Sequence, residues 1–174
     1  NNTFVGFKSG NVNFGGSRNT YMGSNAGASN ANGRDNTVLG SFAGVFGSDG
    51  VENTFVGSTS GYISSGNRNT FVGFEAGDAN TTGDSNVFLG VNAGGANQIG
   101  SQNIMIGNQA GDTNTTGTEN VIIGDQADLA TNNLCNAIVI GSGARVGGSN
   151  SVAIGFGATV SAASSNSIAI GSGA

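Results

Sequence analysis

The phrase "NTFVG" occurs at residues 2–6, 53–57 and 69–73, and near-copies ("NTYMG", "NTVLG", "NVFLG", "NIMIG", "NVIIG") fill the intervals. Aligned on the closing glycine, eleven phrases end at Gly6, Gly23, Gly40, Gly57, Gly73, Gly90, Gly107, Gly124, Gly141, Gly155 and Gly171, spaced by 17 or 16 residues and once by 14. A unit this short cannot hold the two helices of a helical repeat, which need about 30 residues or more. It can hold one rung of a stacked coil. The period therefore predicts an all-β chain, a parallel β-roll or solenoid of about eleven coils of 14–17 residues.

Composition narrows the function classes. There are 33 Gly but no Pro and no Gly-X-Y period, which excludes collagen. Apolar residues make up 36% and recur in register, unlike a disordered chain. The absence of His removes the commonest general base and metal ligand, so no enzyme, cofactor or metal site is expected. A net charge of −5 with no basic stripe speaks against nucleic-acid binding. No apolar run approaches the ~20 residues of a membrane-spanning helix, so no membrane contact is expected within the segment. Cys135 stands alone and reads as a small residue in a turn. The chain starts and ends inside a repeat, and the expectation is a segment whose export signal and C-terminal anchor lie outside it.

Each glycine is preceded by a strand-forming triplet. Its last residues are Val5, Met22, Leu39, Val56, Val72, Leu89, Ile106, Ile123, Ile140, Ile154 and Ile170. Its first residues are Thr3, Thr20, Thr37, Thr54 and Thr70, then Val87, Ile104, Val121, Ile138, Val152 and Ile168. Alternation along a strand puts first and last residues on one face, and that face is expected to form the core of the coil. A column of Ala or Ser three residues after the glycine, from Ser9 and Ala26 to Ala174, is expected opposite it. Further glycines, including Gly10, Gly27 and Gly44 and, in the far turn, Gly16, Gly33, Gly50, Gly66, Gly83, Gly100 and Gly117, predict corners with positive φ joining two short strands per coil. Before the triplet stand Asn2, Asn19, Asn36, Asn53, Asn69, Asn86, Asn103 and Asn120, which predict a ladder of amides bonded up the stack.

The middle residue of the triplet should then face outward. It reads Phe4, Tyr21, Val38, Phe55, Phe71, Phe88, Met105, Ile122, Val139, Ala153 and Ala169. A solvent-facing column would be polar, and a stripe this apolar exceeds what a monomer exposes. These eleven residues are the candidate interface between copies of the chain. Their decline from Phe to Ala suggests an assembly that tapers toward a stalk.

The phrases "NAIVIGSGA", "NSVAIGFGA" and "NSIAIGSGA" resemble the head repeats of trimeric autotransporter adhesins of the YadA type. The match covers residues 136–174, whereas the coils of residues 1–135 resemble a related fibre repeat, the two forming one continuous domain. The resemblance implies a left-handed roll, a homotrimer about a common axis, and a non-catalytic role as an adhesin head on the cell surface. An extracellular protein or glycan would be its ligand, bound through loops such as 12–18, 45–52 and 78–85. The same roll would serve a virion or phage-like tail fibre. The in-register Thr column also admits an ice-binding solenoid, a reading weakened by placing those Thr inside. "GSGARVGG" (141–148) lacks the Lys-Ser/Thr ending of a phosphate loop. Asp125 and Asp128 have no His or Lys neighbour to make a catalytic pair.

Overall fold

The computed structural model describes residues 1–47, 49–162 and 164–174. Among these residues there is no helix, and the chain is a parallel β-solenoid. Each triplet is a three-residue strand: β1 (Thr3–Val5), β2 (Thr20–Met22), β3 (Thr37–Leu39), β4 (Thr54–Val56), β5 (Thr70–Val72), β6 (Val87–Leu89), β7 (Ile104–Ile106), β8 (Val121–Ile123), β10 (Ile138–Ile140), β12 (Val152–Ile154) and β14 (Ile168–Ile170). They pair in chain order into one eleven-stranded sheet. Like lies over like, Thr54 on Thr70, Phe55 on Phe71, Val56 on Val72, because the repeat period and the coil length coincide. Two-residue strands β9 (Asp128–Leu129), β11 (Arg145–Val146) and β13 (Thr159–Val160) form a second parallel sheet. The second strand expected in every coil therefore occurs only from Asp128 onward, and the earlier coils close through turns.

The two faces of the large sheet are the reverse of the sequence expectation. The middle column points into the coil: Tyr21, Phe71, Phe88, Met105, Ile122, Val139 and Ala153 have no exposed surface, and Val38 and Phe55 almost none, in a single chain. They cannot form a contact between copies. Phe4 and Ala169 belong to the same column and lie in the first and last of these coils, where they are only partly buried. The residues assigned to the core, Val5, Leu39, Val72, Ile106, Ile123, Ile140, Ile154 and Ile170, lie on the outer face, half-exposed or exposed. The physical reason is volume. The Ala column (Ala26, Ala43, Ala76, Ala93, Ala110, Ala127, Ala144, Ala158) belongs to the same core cluster as the middle column, and only methyl groups leave room for stacked rings. Phe71 lies 5.1 Å from Phe55 and 4.7 Å from Phe88, ring on ring, with planes 13° and 5° apart.

The decline from Phe to Ala is compensated within each coil. Where the middle column falls to Val139 and Ala153, Leu129, Val146 and Val160 of the small sheet enter the same core from the opposite wall. The column thus carries no information about a taper between copies.

Corners follow a different rule from the one glycine alone suggests. The closing glycines do take positive φ, and a Cβ on Gly73 (φ +142) would lie 2.1 Å from the carbonyl oxygen of Gly90 in the next coil. The far-turn glycines show no such φ. At Gly83 the constraint is proximity, with Gly100 O only 2.3 Å from where a Cβ would stand. The glycines after the Ala column do form left-handed corners as expected, Gly10 at φ 58, Gly27 at φ 57 and Gly44 at φ 55. Further left-handed corners fall on ordinary residues such as Asp35 (φ 60), Thr59 (φ 57) and Gln102 (φ 61).

The Asn column closes the strands on their other side. Asn19, Asn36, Asn53, Asn69, Asn86 and Asn103 are buried, and each side-chain oxygen accepts the backbone N–H of the next coil, as in Asn36 N to Asn19 Oδ1 at 3.0 Å. Each amide nitrogen from Asn19 to Asn103 donates to a far-turn glycine carbonyl, for example Asn86 Nδ2 to Gly100 O at 2.8 Å. Asn120, at the last long coil, donates instead to Leu134 O, and its oxygen accepts from Ala137 N. Asn2 in the first coil is exposed but accepts from Asn19 N in the same way. A second buried ladder, Ser64, Asn80, Asn97 and Asn114, runs beside it, with Asn97 Nδ2 donating to Asn80 Oδ1 at 2.8 Å.

Candidate functional surfaces

The outward face of the large sheet is built from the first and last triplet residues. Strands spaced ~4.8 Å apart make it roughly 50 Å long, and the two columns stand ~7 Å apart. Its last-residue column is wholly apolar, and its first-residue column changes from Thr in β1–β5 to Val and Ile from β6 onward. Val5 is 50% exposed, Met22 47% and Ile104 38%. Just past the closing glycines, Phe7, Phe74, Val91 and Phe156 are also exposed. The face is a long, largely apolar strip, and contiguous exposed apolar patches mark interaction sites.

Sequence reasoning assigned this face to the interior, yet a signal was present. Five Thr hydroxyls in the first column have no polar partner column to satisfy them inside a core, and burying them unpaired would cost ~1–3 kcal/mol each.

The candidate loops are more tied to the scaffold than a solvated turn would be. In 12–18, Phe14 is almost fully exposed, while Arg18 reaches the next coil and pairs with Asp35 through Nε to Oδ1 at 2.5 Å. That guanidinium holds the Asp35 carboxyl below its ordinary value. In 45–52, Phe46 packs edge-on against Tyr62 at 5.2 Å; residue 48 lies outside the described residues. In 78–85, Asn80 belongs to the second ladder, and Asp84 accepts from Asn67 N at 2.6 Å. Burial, with Glu75 adding to it, raises the Asp78 carboxyl above its ordinary value.

The remaining sequence candidates are dispersed. Cys135 is half-buried beside Thr118. Residues 141–148 comprise a turn, β11 itself and the bend that follows it. Asp125 is exposed and accepts from Asn108, whereas Asp128 is buried. Among the described residues no three His, Cys, Asp or Glu side chains cluster to hold a metal ion, and no helix is long and apolar enough to cross a membrane.

The architecture and surface define a class: a repetitive parallel β-solenoid with one flat, apolar, outward sheet face. The chain gives no significant match to a protein-family model, a curated protein or a solved structure.

Proposed function

We propose that this chain is a non-catalytic rod segment of an extracellular fibre, an adhesin head of the trimeric autotransporter kind, in which three copies pack through the outward face of the large sheet. The observation that carries the reading is that face: eleven parallel strands whose outward side chains are apolar or Thr. Three such faces about a common axis would remove the patch from water, at ~25 cal/mol per Å² of apolar surface. Attachment would then come from loops and from the walls left outside, each presented three times. A virion or tail fibre would use the same construction.

Light scattering on the chain tests this. A mass of three chains is expected, and Ile106→Lys on the outer face should reduce it to one while leaving the β-sheet circular dichroism intact. Met105→Lys, one residue away but pointing inward, should unfold its coil instead. A wild-type monomer would overturn the reading.

A second reading gains from the geometry. Thr3, Thr20, Thr37, Thr54 and Thr70 stand outside, in register, beside a flat aliphatic column, which is a surface suited to ordered water or ice. Freezing-point hysteresis that Thr37→Lys abolishes would favour it, and its absence would remove it.

A further inference from the structure

The wall opposite the large sheet changes construction at one place. In the long coils Ala110 is followed by Gly111, and the turn runs on through Asp112 and Thr113. In the next coil Ala127 is followed by Asp128, and the chain extends as β9. Gly111 N donates to Ala127 O and Asp128 N to Ala144 O, so Gly111, Asp128 and Arg145 occupy successive rungs. A turning coil stacked on an extended one leaves a step. It is a cleft of about 390 Å³ lined by Gln109, Asp112, Gln126, Asp128, Gly143 and Arg145.

The cleft is a built one. The Asp128 side chain is buried and fixed, accepting from Thr113 N at 3.2 Å, from Thr113 Oγ1, and from Leu129 N at 2.8 Å. Arg145 Nη2 lies 3.8 Å from Asp128 Oδ2 and 3.4 Å from Leu129 O, with its side chain half exposed. Gln109 and Gln126 stand one rung apart at equivalent left-handed corners (φ 53 and 54), side chains exposed.

The lining decides the ligand chemistry. It offers donors from a guanidinium, acceptors from carboxylates, and both from two amides, with no aromatic or aliphatic side chain, so an apolar molecule gains nothing there. Two carboxylates against one guanidinium disfavour an anion, and the Arg145 guanidinium, 3.8 Å from Asp128 Oδ2, repels a metal ion there. Hydroxyl groups donate and accept at once and suit such a mixed wall. The volume lies near the lower end of small-molecule sites, about 300–1,000 Å³, which suits one or two sugar rings.

We propose that this step is a carbohydrate-binding site that takes a neutral saccharide of one or two pyranose rings, with Asp128 and Arg145 on its floor and Gln109 and Gln126 at its rim. Every residue comes from one chain: Gln109, Gln126 and Gly143 sit in the corner just past strands of the large sheet, and Asp128 and Arg145 in the small sheet. In a trimer it would be displayed three times.

The test is saturation-transfer NMR on the chain with glucose, galactose, mannose, N-acetylglucosamine, lactose and chitobiose, repeated on Arg145→Ala and on Gln126→Asn. At least one sugar should receive saturation, and its affinity should fall tenfold or more in Arg145→Ala and measurably in Gln126→Asn. An unchanged thermal unfolding midpoint in both variants would show that the fold persists. Saturation of none of the six sugars, or equal saturation of wild type and both variants, would overturn the proposal. So would amide shifts at Asp128 produced by calcium or inorganic phosphate but by no sugar.

Discussion

Tyr21 occupies a column position held by Phe in four other coils, and its buried hydroxyl makes no hydrogen bond of acceptable geometry, although Asn36 lies near enough to oppose slightly the effect of burial on its ionisation. Burial pushes its ionisation up to about 12, which fits a phenol surrounded by apolar groups. Tyr21→Phe keeps the ring stacked on Phe4 (5.0 Å) and deletes the unsatisfied oxygen. It should stabilise the chain by about 1 kcal/mol, read as a higher urea midpoint at constant slope. Asp128 presents the opposite case, a buried carboxyl with donors. Burial nonetheless outweighs the bonds from Thr113 and Leu129 and, with Asp112 nearby, raises its pKa above the ordinary 3.8. The folded state then binds this proton more tightly than the unfolded state. The resulting stability is fully present below 3.8 and is lost as pH rises through the raised value. A carbon-detected titration of the Asp128 carboxyl should show a midpoint above 3.8, and a midpoint at or below that value would contradict the burial argument.

At the scale of the element, a three-residue strand has too few bonds to persist alone, and the ladder beside it supplies the rest. Asn86 accepts from Asn103 N at 3.0 Å and donates to Gly100 O at 2.8 Å. Asn86→Ala strands both groups in a dry interior and should cost about 3 kcal/mol. Hydrogen exchange gives the local signature: the Asn103 amide should lose its protection while amides several coils away keep theirs. The Asn ladder was legible because one residue type recurs at one offset in eight successive coils. Its companion through Asn80, Asn97 and Asn114 was not, because its members lie in a loop of varied sequence and Ser64 interrupts the Asn run. Left-handed corners at residues such as Thr59 and Gln102 were equally hidden, since no glycine marks them.

For the molecule as a whole, nearest-neighbour stacking means that coils are interchangeable units. Deleting residues 74–90 joins Gly73 to Val91 and removes one whole coil, because Gly73 and Gly90 stack at equivalent positions. The shortened chain should fold, with β-sheet signal reduced in proportion and the Asn ladder rejoined. Deleting residues 74–82 instead shifts the register by about half a coil and should abolish the cooperative transition in thermal unfolding.

The amino-acid order alone set the period, and the period set the coil count, the strand positions and the like-over-like register. It also determined that alternate residues of each triplet face opposite ways. Alternation alone did not determine which way, because it is indifferent to inside and outside, and the five Thr of the first column were the one sequence signal that this face lies outside. The choice was decided by closure of the coil. Phe71 and its neighbours lie inside because the returning wall presents only Ala and Ser to them, and Val72 and Ile106 are left outside. The cleft at Asp128 is likewise a property of stacking alone, arising where a coil that turns meets a coil that extends.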